Sequence, residues 1–179
     1  EIQLGDWSSD VCSSDLPDKD NMKIHTIPPT YNKLSQILIL GSFPSVKSRE
    51  EGYFYGHPQN RFWQVMSLVF EDELPETIES KKAFLLRHKV AVWDVIASCD
   101  ITGSSDSSIT NVKANDITKV SDKANIMKIY VNGRKADALY KRYIEPQLGK
   151  SAIYLPSTSP ANARWSLEKL VESWKIIKS

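Results

Sequence analysis

The sequence predicts an α/β protein, a three-layer α/β/α sandwich around a central, mostly parallel four-stranded sheet. Three observations carry this. Four short apolar runs, Ile37 to Leu40, Val90 to Trp93, Ile126 to Val131 and Ala152 to Leu155, are continuous rather than alternating, as in strands buried on both faces. Stretches with helical periodicity separate the runs, and a repeated strand–helix order implies parallel pairing with helices on both faces. Each run ends in a turn of polar or small residues, and open α/β sheets build their ligand sites at the carboxyl ends of strands.

Taken in order, Pro28-Pro29 marks an extended entry into the domain. The first strand stops at Gly41-Ser42-Phe43-Pro44. From there the apolar residues Phe62, Val65, Met66, Val69 and Phe70 fall on one helical face. Thr77 to His88 reads as a second helix, with Thr77 as N-cap and Glu76 and Glu79 near its positive end. The second strand leads to Asp94, which is expected to start a helix or loop, and then to the longest polar loop, Ser98 to Ser108. A third helix is expected between Thr110 and Ala124, with weak patterning. The third strand gives Asn132-Gly133-Arg134-Lys135, and a fourth helix runs from about Lys135 to Tyr143, ahead of Pro146. The fourth strand opens into Pro156 to Asn162. The last helix spans Trp165 to Ile177, with Leu167, Leu170, Val171, Trp174 and Ile177 on one side.

The chain has 179 residues and suits one compact domain of ordinary globular composition. Residues 1–21 look foreign to it. They have no strand or helix period, are rich in Ser and Asp, and from Asp6 to Leu16 resemble the translation of a common sequencing-library adapter. We expect residues 1–21 to be a non-native or disordered leader and residues 22–179 to form the domain. The leader carries six acids and one base, so residues 22–179 carry +6 where the whole chain carries +1. That charge suits a nucleic-acid partner without demanding one. Outside the leader Cys99 stands alone, which permits no intrachain disulfide and no internally ligated four-cysteine iron–sulfur cluster. His25, His57 and His88 lack metal-ligand spacing, so no metal and no cofactor is expected. No apolar run approaches a membrane span and no charged-then-apolar signal segment opens the sequence. A cytoplasmic location in a bacterium or archaeon is expected.

The richest segment is His57-Pro58-Gln59-Asn60-Arg61-Phe62-Trp63, which sets an imidazole, an amide and a guanidinium at the mouth of an amphipathic helix. Gly41 lets backbone approach a ligand closely; an ordinary strand-to-loop turn would look the same. Asn60 either caps the helix that follows or offers its amide to an attacking water. His57 either donates a hydrogen bond to a ligand's carbonyl or phosphate oxygen, or serves as a helix-entry residue packed by Pro58. Arg61 reads as a solvated surface residue or a phosphate ligand. Of Tyr53-Phe54-Tyr55, at least one residue should anchor the loop on the core, and the others can stack on a planar ligand. Trp63, Trp165 and Trp174 are core or core-edge residues. Ser157, Thr158 and Ser159 offer hydroxyl and backbone donors to phosphate oxygens; a serine-rich capping loop is the plain alternative. Asp94, Asp106 and Asp116 are the carboxylates available as a general base, and no lysine has the desolvated setting of a Schiff-base nucleophile.

The Gly41-Ser42-Phe43-Pro44 turn, the His57 to Trp63 run and the Leu155 to Asn162 loop together resemble the uracil-DNA glycosylase superfamily, most closely its hypoxanthine-DNA glycosylase branch, with the mismatch-specific uracil glycosylases next. The resemblance covers roughly Ile37 to Ile177. It implies hydrolysis of the N-glycosidic bond of a deaminated base in DNA, with hypoxanthine as the leading substrate. It implies a base pocket from Gly41, Ser42, Phe43, Pro44, Tyr55 and His57, and DNA gripping by Ser157, Thr158, Ser159, Pro160, Ala161 and Asn162. The superfamily usually carries Asn or Asp where this chain has Phe43, and a phenyl ring cannot orient water. The hypoxanthine branch also lacks that residue and assigns catalysis to an Asn in a His-Pro-x-Asn context, which implies the role for Asn60. The expected protein is a monomeric, monofunctional hydrolase acting on DNA that contains deaminated bases. Mismatch-specific uracil removal and a catalytically silent DNA- or nucleotide-binding module are the alternatives.

Overall fold

The computed structural model describes residues 22–179; the expectation of a foreign leader falls on residues 1–21, outside the described residues. The chain runs β1 (Met22–Ile24), β2 (Ile37–Gly41), α1 (Val46–Glu51), α2 (Phe62–Phe70), α3 (Ile78–Arg87), β3 (Val90–Asp94), β4 (Ile96–Asp100), β5 (Thr110–Ala114), α4 (Thr118–Ser121), β6 (Lys128–Asn132), α5 (Arg134–Tyr143), α6 (Glu145–Leu148), β7 (Ile153–Leu155) and α7 (Leu167–Trp174), with 3-10 turns at Asp106–Ser108 and Lys175–Lys178. The central sheet has the order β3-β2-β6-β7 and is parallel throughout. Helices flank it to give the α/β/α sandwich.

The apolar runs explain this sheet. Leu38, Ile39 and Leu40 of β2 are fully buried, as are Val90, Ala91 and Val92 of β3 and Tyr130 and Val131 of β6. Strands so apolar on both faces need helices on both sides. One helix stripe does that work at α2, where Phe62, Val65 and Met66 are fully buried and Phe62 meets Trp174 of α7 edge-on, ring centroids 5.9 Å apart. Thr77 caps α3 as its sequence suggests. Its hydroxyl accepts from the Ser80 backbone N–H while the Ser80 side chain bonds back to the Thr77 backbone, a reciprocal box worth about 1 kcal/mol.

Three expectations need correction. The segment from Thr110 begins with a strand, not a helix: β5 pairs antiparallel with β4, and only Thr118–Ser121 is helical before Ala124. Thr110 and Val112 are β-branched, but β5 is a largely exposed edge strand, so it lacks the apolar alternation that would reveal it. Ser98 to Asp100 is strand rather than loop and completes a small antiparallel sheet in the order β1-β4-β5. Asp94 closes β3 as its last residue and is buried. No helix among the described residues is long and apolar enough to cross a membrane.

Candidate active site

Every parallel strand contributes its carboxyl end to one cleft of about 290 Å³, close to the lower bound of roughly 300 Å³ for small-ligand pockets. β2 supplies Gly41, β3 supplies Asp94, β6 supplies Asn132, and the loop after β7 supplies Ser157 to Ala161. Ser42, Phe43, Pro44, Tyr55, His57 and Asn60 complete the walls from the long loop after β2. Phe43, Asn60 and Ser157 thus share one cleft. Of the base-pocket and DNA-gripping residues implied by the resemblance, Asn162 does not line it: its side-chain amide donates to the Ser157 carbonyl at 3.0 Å and ties the loop to itself.

Gly41 is there for space. A Cβ on it would lie 2.5 Å from Asp94 Oδ1 and 3.2 Å from the Tyr55 hydroxyl oxygen, so a side chain would displace groups on the cleft floor. Asp94 is held from both sides. Asn115 Nδ2 donates to its backbone carbonyl at 2.9 Å, and His25 Nε2 donates to its Oδ2 at 2.7 Å. His25 and Asp94 are nearly sealed, with side-chain exposures of 1% and 5%. The small sheet makes this contact. Ile24 of β1 pairs with Ser98 of β4, and the next residue, His25, donates its backbone N–H to Ala97 O at 2.7 Å. His25 then packs among Phe43, Phe54 and Trp93, the Phe43 ring meeting it edge-on at 6.0 Å.

The aromatic triplet divides its labour. Tyr53 and Phe54 are core residues at 3% and 2% exposure, and the Tyr53 hydroxyl bonds Thr30 Oγ1 at 2.8 Å. Burial pushes the Tyr53 phenol up to about 12. Tyr55 turns the chain at φ 54 and stacks on Phe62 at 3.9 Å, with its ring edge at the cleft floor. Burial, reinforced by the Asp94 charge, holds its hydroxyl above the usual tyrosine range.

Asn60 is both helix-entry residue and cleft wall. Its Oδ1 accepts the Phe62 backbone N–H at 2.9 Å, which fixes the amide while the residue remains half-buried in the cleft. His57 lines the cleft, and its Nδ1 accepts from Gln59 N at 3.1 Å. Arg61 corrects both sequence readings of it. Its guanidinium donates to the carbonyls of Ser159 and Asn162, each at 3.1 Å, and of Trp165, while its backbone N–H reaches Thr158 O at 3.0 Å. It is a strut between the two loops rather than a solvated or phosphate-facing group.

The far loop is anchored from β6. Asn132 Nδ2 donates to Thr158 Oγ1 at 3.0 Å, and Asn132 Oδ1 accepts Thr158 N at 3.1 Å. Gly133, at φ 96, lets Ser157 pack against it; a Cβ there would sit 3.0 Å from Ser157 Cβ. At the rim, Asp106 Oδ1 accepts from Ser42 Oγ at 3.1 Å. Removal from water on its cleft side raises the Asp106 carboxyl, with the Ser42 hydroxyl bond and Lys135 opposing. Asp116 lies outside the cleft, and its Oδ1 accepts the Thr118 backbone N–H at 3.1 Å at the entry to α4. Among the described residues no cluster of three or more His, Cys, Asp or Glu side chains is arranged to hold a metal ion.

Sequence reasoning weighed His25 only as a metal ligand and named Asp94 without its partner. His25 carries no local motif, and the contact joins residues 69 apart in the chain.

Comparison with known proteins supplies the family. The model of the uracil DNA glycosylase superfamily matches residues 28–178. Proteins named hypoxanthine DNA glycosylase from Methanosarcina acetivorans and Methanosarcina barkeri are 33% and 32% identical over 155 residues, covering 84% and 86% of this chain and 94% and 96% of theirs. A solution NMR structure of a candidate uracil DNA glycosylase from Methanosarcina acetivorans superposes with a TM-score of 0.73 at 28% identity, over 88% of this chain and 99% of that one.

Proposed function

Because the chain belongs to the uracil DNA glycosylase superfamily, and is thus a DNA repair hydrolase acting on N-glycosyl bonds, we propose that it removes hypoxanthine from DNA. One observation carries the reading. Phe43 occupies the turn where an acid or amide would otherwise handle water, while Asn60 lines the same cleft with its amide already oriented. The names of the two Methanosarcina relatives support the same substrate.

In this reading a deaminated base leaves the duplex and enters the cleft, with Phe43 and Tyr55 as its aromatic walls. Asn60 Oδ1 keeps one lone pair after bonding Phe62 N and accepts a hydrogen bond from the attacking water. The water oxygen bonds to C1′ of the sugar, the C1′–N bond breaks, and its electron pair leaves with the base. The proton released by the water ends on the base, giving free hypoxanthine and an abasic site. Backbone N–H groups around Gly41 to Phe43 suit the stabilisation of the departing anion. Among the described residues no lysine lines the cleft, which supports a monofunctional hydrolase without Schiff-base strand cleavage. Ser157, Thr158, Ser159, Pro160 and Ala161 present the loop that grips the DNA backbone and fills the gap left by the flipped nucleotide. The protein acts as a monomer.

Oligonucleotides carrying inosine, uracil or xanthine, incubated with the protein and cleaved at abasic sites by alkali, test this directly. Product from inosine is expected. Product from uracil alone would replace the reading by mismatch-type uracil removal, and no product from any would leave only DNA binding.

A further inference from the structure

Arg49 carries a charge that the chemistry assigned to the cleft does not use. It lies in α1, four residues after the N-cap Ser45, and is half-buried. Its guanidinium donates through Nε to the Ser45 carbonyl at 3.4 Å and through Nη2 to the Gly103 carbonyl at 2.8 Å. Both partners are neutral, and among the described residues no carboxylate lies within ion-pair distance of it. Its Cζ stands over the Phe43 ring, 5.5 Å from the centroid. Phe43 lines the cleft and Arg49 does not, so the ring has the cleft on one face and a guanidinium on the other. A half-buried cation without an anion is costly to the fold. Held beside a cleft, such a charge acts on any anion that forms inside.

We propose that Arg49, acting through the Phe43 ring, stabilises the anion that departs when the glycosidic bond breaks. The inference rests on the reading of the cleft as a base pocket and adds an electrostatic element to the reaction there. As the C1′–N bond breaks, its electron pair stays on the base, which is neutral before the step and an anion after it. A base stacked on the open face of Phe43 sits about 9 Å from the guanidinium carbon, the 5.5 Å to the ring plus a van der Waals separation of roughly 3.5 Å. At an effective dielectric constant of about 20, a unit charge at that distance favours the anion roughly 20-fold, against about twofold in bulk water. The neutral base feels little of this field, so the effect falls on the rate rather than on binding. The guanidinium keeps its proton at any working pH, and its two carbonyl bonds fix it before the reaction begins. Arg49 touches no substrate; it is a positioning residue whose charge reaches the base across Phe43.

The test separates rate from binding and charge from packing. Arg49→Met keeps an unbranched stem under the Phe43 ring without the charge, and Arg49→Lys keeps the charge. Arg49→Met should lower single-turnover excision of hypoxanthine about tenfold, while its affinity for a duplex carrying uncleavable 2′-fluoro inosine stays within about twofold of wild type. Arg49→Lys should keep most of the rate. A second duplex carries 2′-fluoro xanthosine, whose base is already an anion at neutral pH. The affinity ratio of xanthine to inosine should fall about tenfold in Arg49→Met and be retained in Arg49→Lys, a readout that needs no turnover. Equal losses of rate and affinity in both variants would reduce Arg49 to a brace between α1 and the β4–β5 loop and overturn the proposal. An unchanged rate or an unchanged ratio in Arg49→Met would overturn it too. A wild-type protein that excises none of inosine, uracil and xanthine would sink the glycosylase reading of the site, whereas the xanthine-to-inosine ratio would still decide whether Arg49 sets a charge behind Phe43.

Discussion

Across the cleft, the loop after β2 holds polar atoms in reserve: the buried Tyr55 hydroxyl makes no close hydrogen bond among the described residues, and Asn60 and His57 each use one acceptor atom on neighbouring backbone. The loop after β7 does the opposite. Ser157 Oγ accepts from Ser159 N, Ser159 Oγ from Ala161 N, and Thr158 is clasped by Asn132. Asn162 and Arg61 fasten the carbonyls of Ser157, Ser159, Asn162 and Trp165. Side chains without committed partners are what a site needs where chemistry and base reading occur. A fully bonded loop is what a protein needs to push against a duplex without yielding. Because Ser157 and Ser159 act as acceptors inside the loop, their O–H protons remain to donate to phosphate oxygens.

The largest expected effect attacks the reserve of the first loop. Asn60→Ala should lower single-turnover excision of hypoxanthine by ~10²-fold or more, about 2.7 kcal/mol of barrier, with much less effect on binding to inosine-containing DNA. Because Asn60 Oδ1 also accepts the first backbone N–H of α2, that of Phe62, the same variant should lose about 1 kcal/mol of stability. Near-normal excision by the folded fraction, with only the stability loss, would reduce Asn60 to a cap.

Arg61→Ala attacks the rigidity of the second loop. Loss of a charged donor from several carbonyls should cost about 2 kcal/mol in denaturant unfolding. DNA affinity should fall while the dependence of binding on salt keeps its slope, because Arg61 faces carbonyls rather than phosphates. Arg134 and Lys135, which follow β6 at the cleft side of α5, supply the contrast. If they neutralise phosphates, replacing either with Ala should reduce the logarithmic salt slope by about 1. A reduced slope for Arg61→Ala and unchanged slopes for the other two would invert the assignment.

The smallest effect lies at the rim, where Asp106 accepts from Ser42 of the first loop. Its carboxyl is raised by removal from water, so the folded state binds this proton more tightly than the unfolded chain does. The resulting stabilisation is fully present below the unfolded carboxylate range, near pH 3.9, and is lost as pH rises through the raised folded value. Unfolding of wild type and Asp106→Asn followed across that range should show wild type losing stability relative to the variant as pH increases. A flat or rising difference would remove Asp106 as a desolvated group of the cleft.

The sequence determined the central sheet and the place of the site. Residues as apolar as Leu38 to Leu40 and Val90 to Val92 must be buried on both faces, and a polar turn after such a strand has only the sheet edge to occupy. Local chemistry also fixed the Thr77 cap and the entry of α2, where the relevant atoms are two or three residues apart. Tertiary structure decided the rest. Thr110–Ala114 became a strand because β4 offered it an edge, and its own side chains give little signal. Arg61 was drawn from solvent to carbonyls about 100 residues away, and His25 was carried by β1 to Asp94. Such contacts are set by which chain ends the sheet brings together. Hydrophobic period and residue type are local quantities and do not encode them, so the cleft's location was legible from the strands while the pairing of its floor was not.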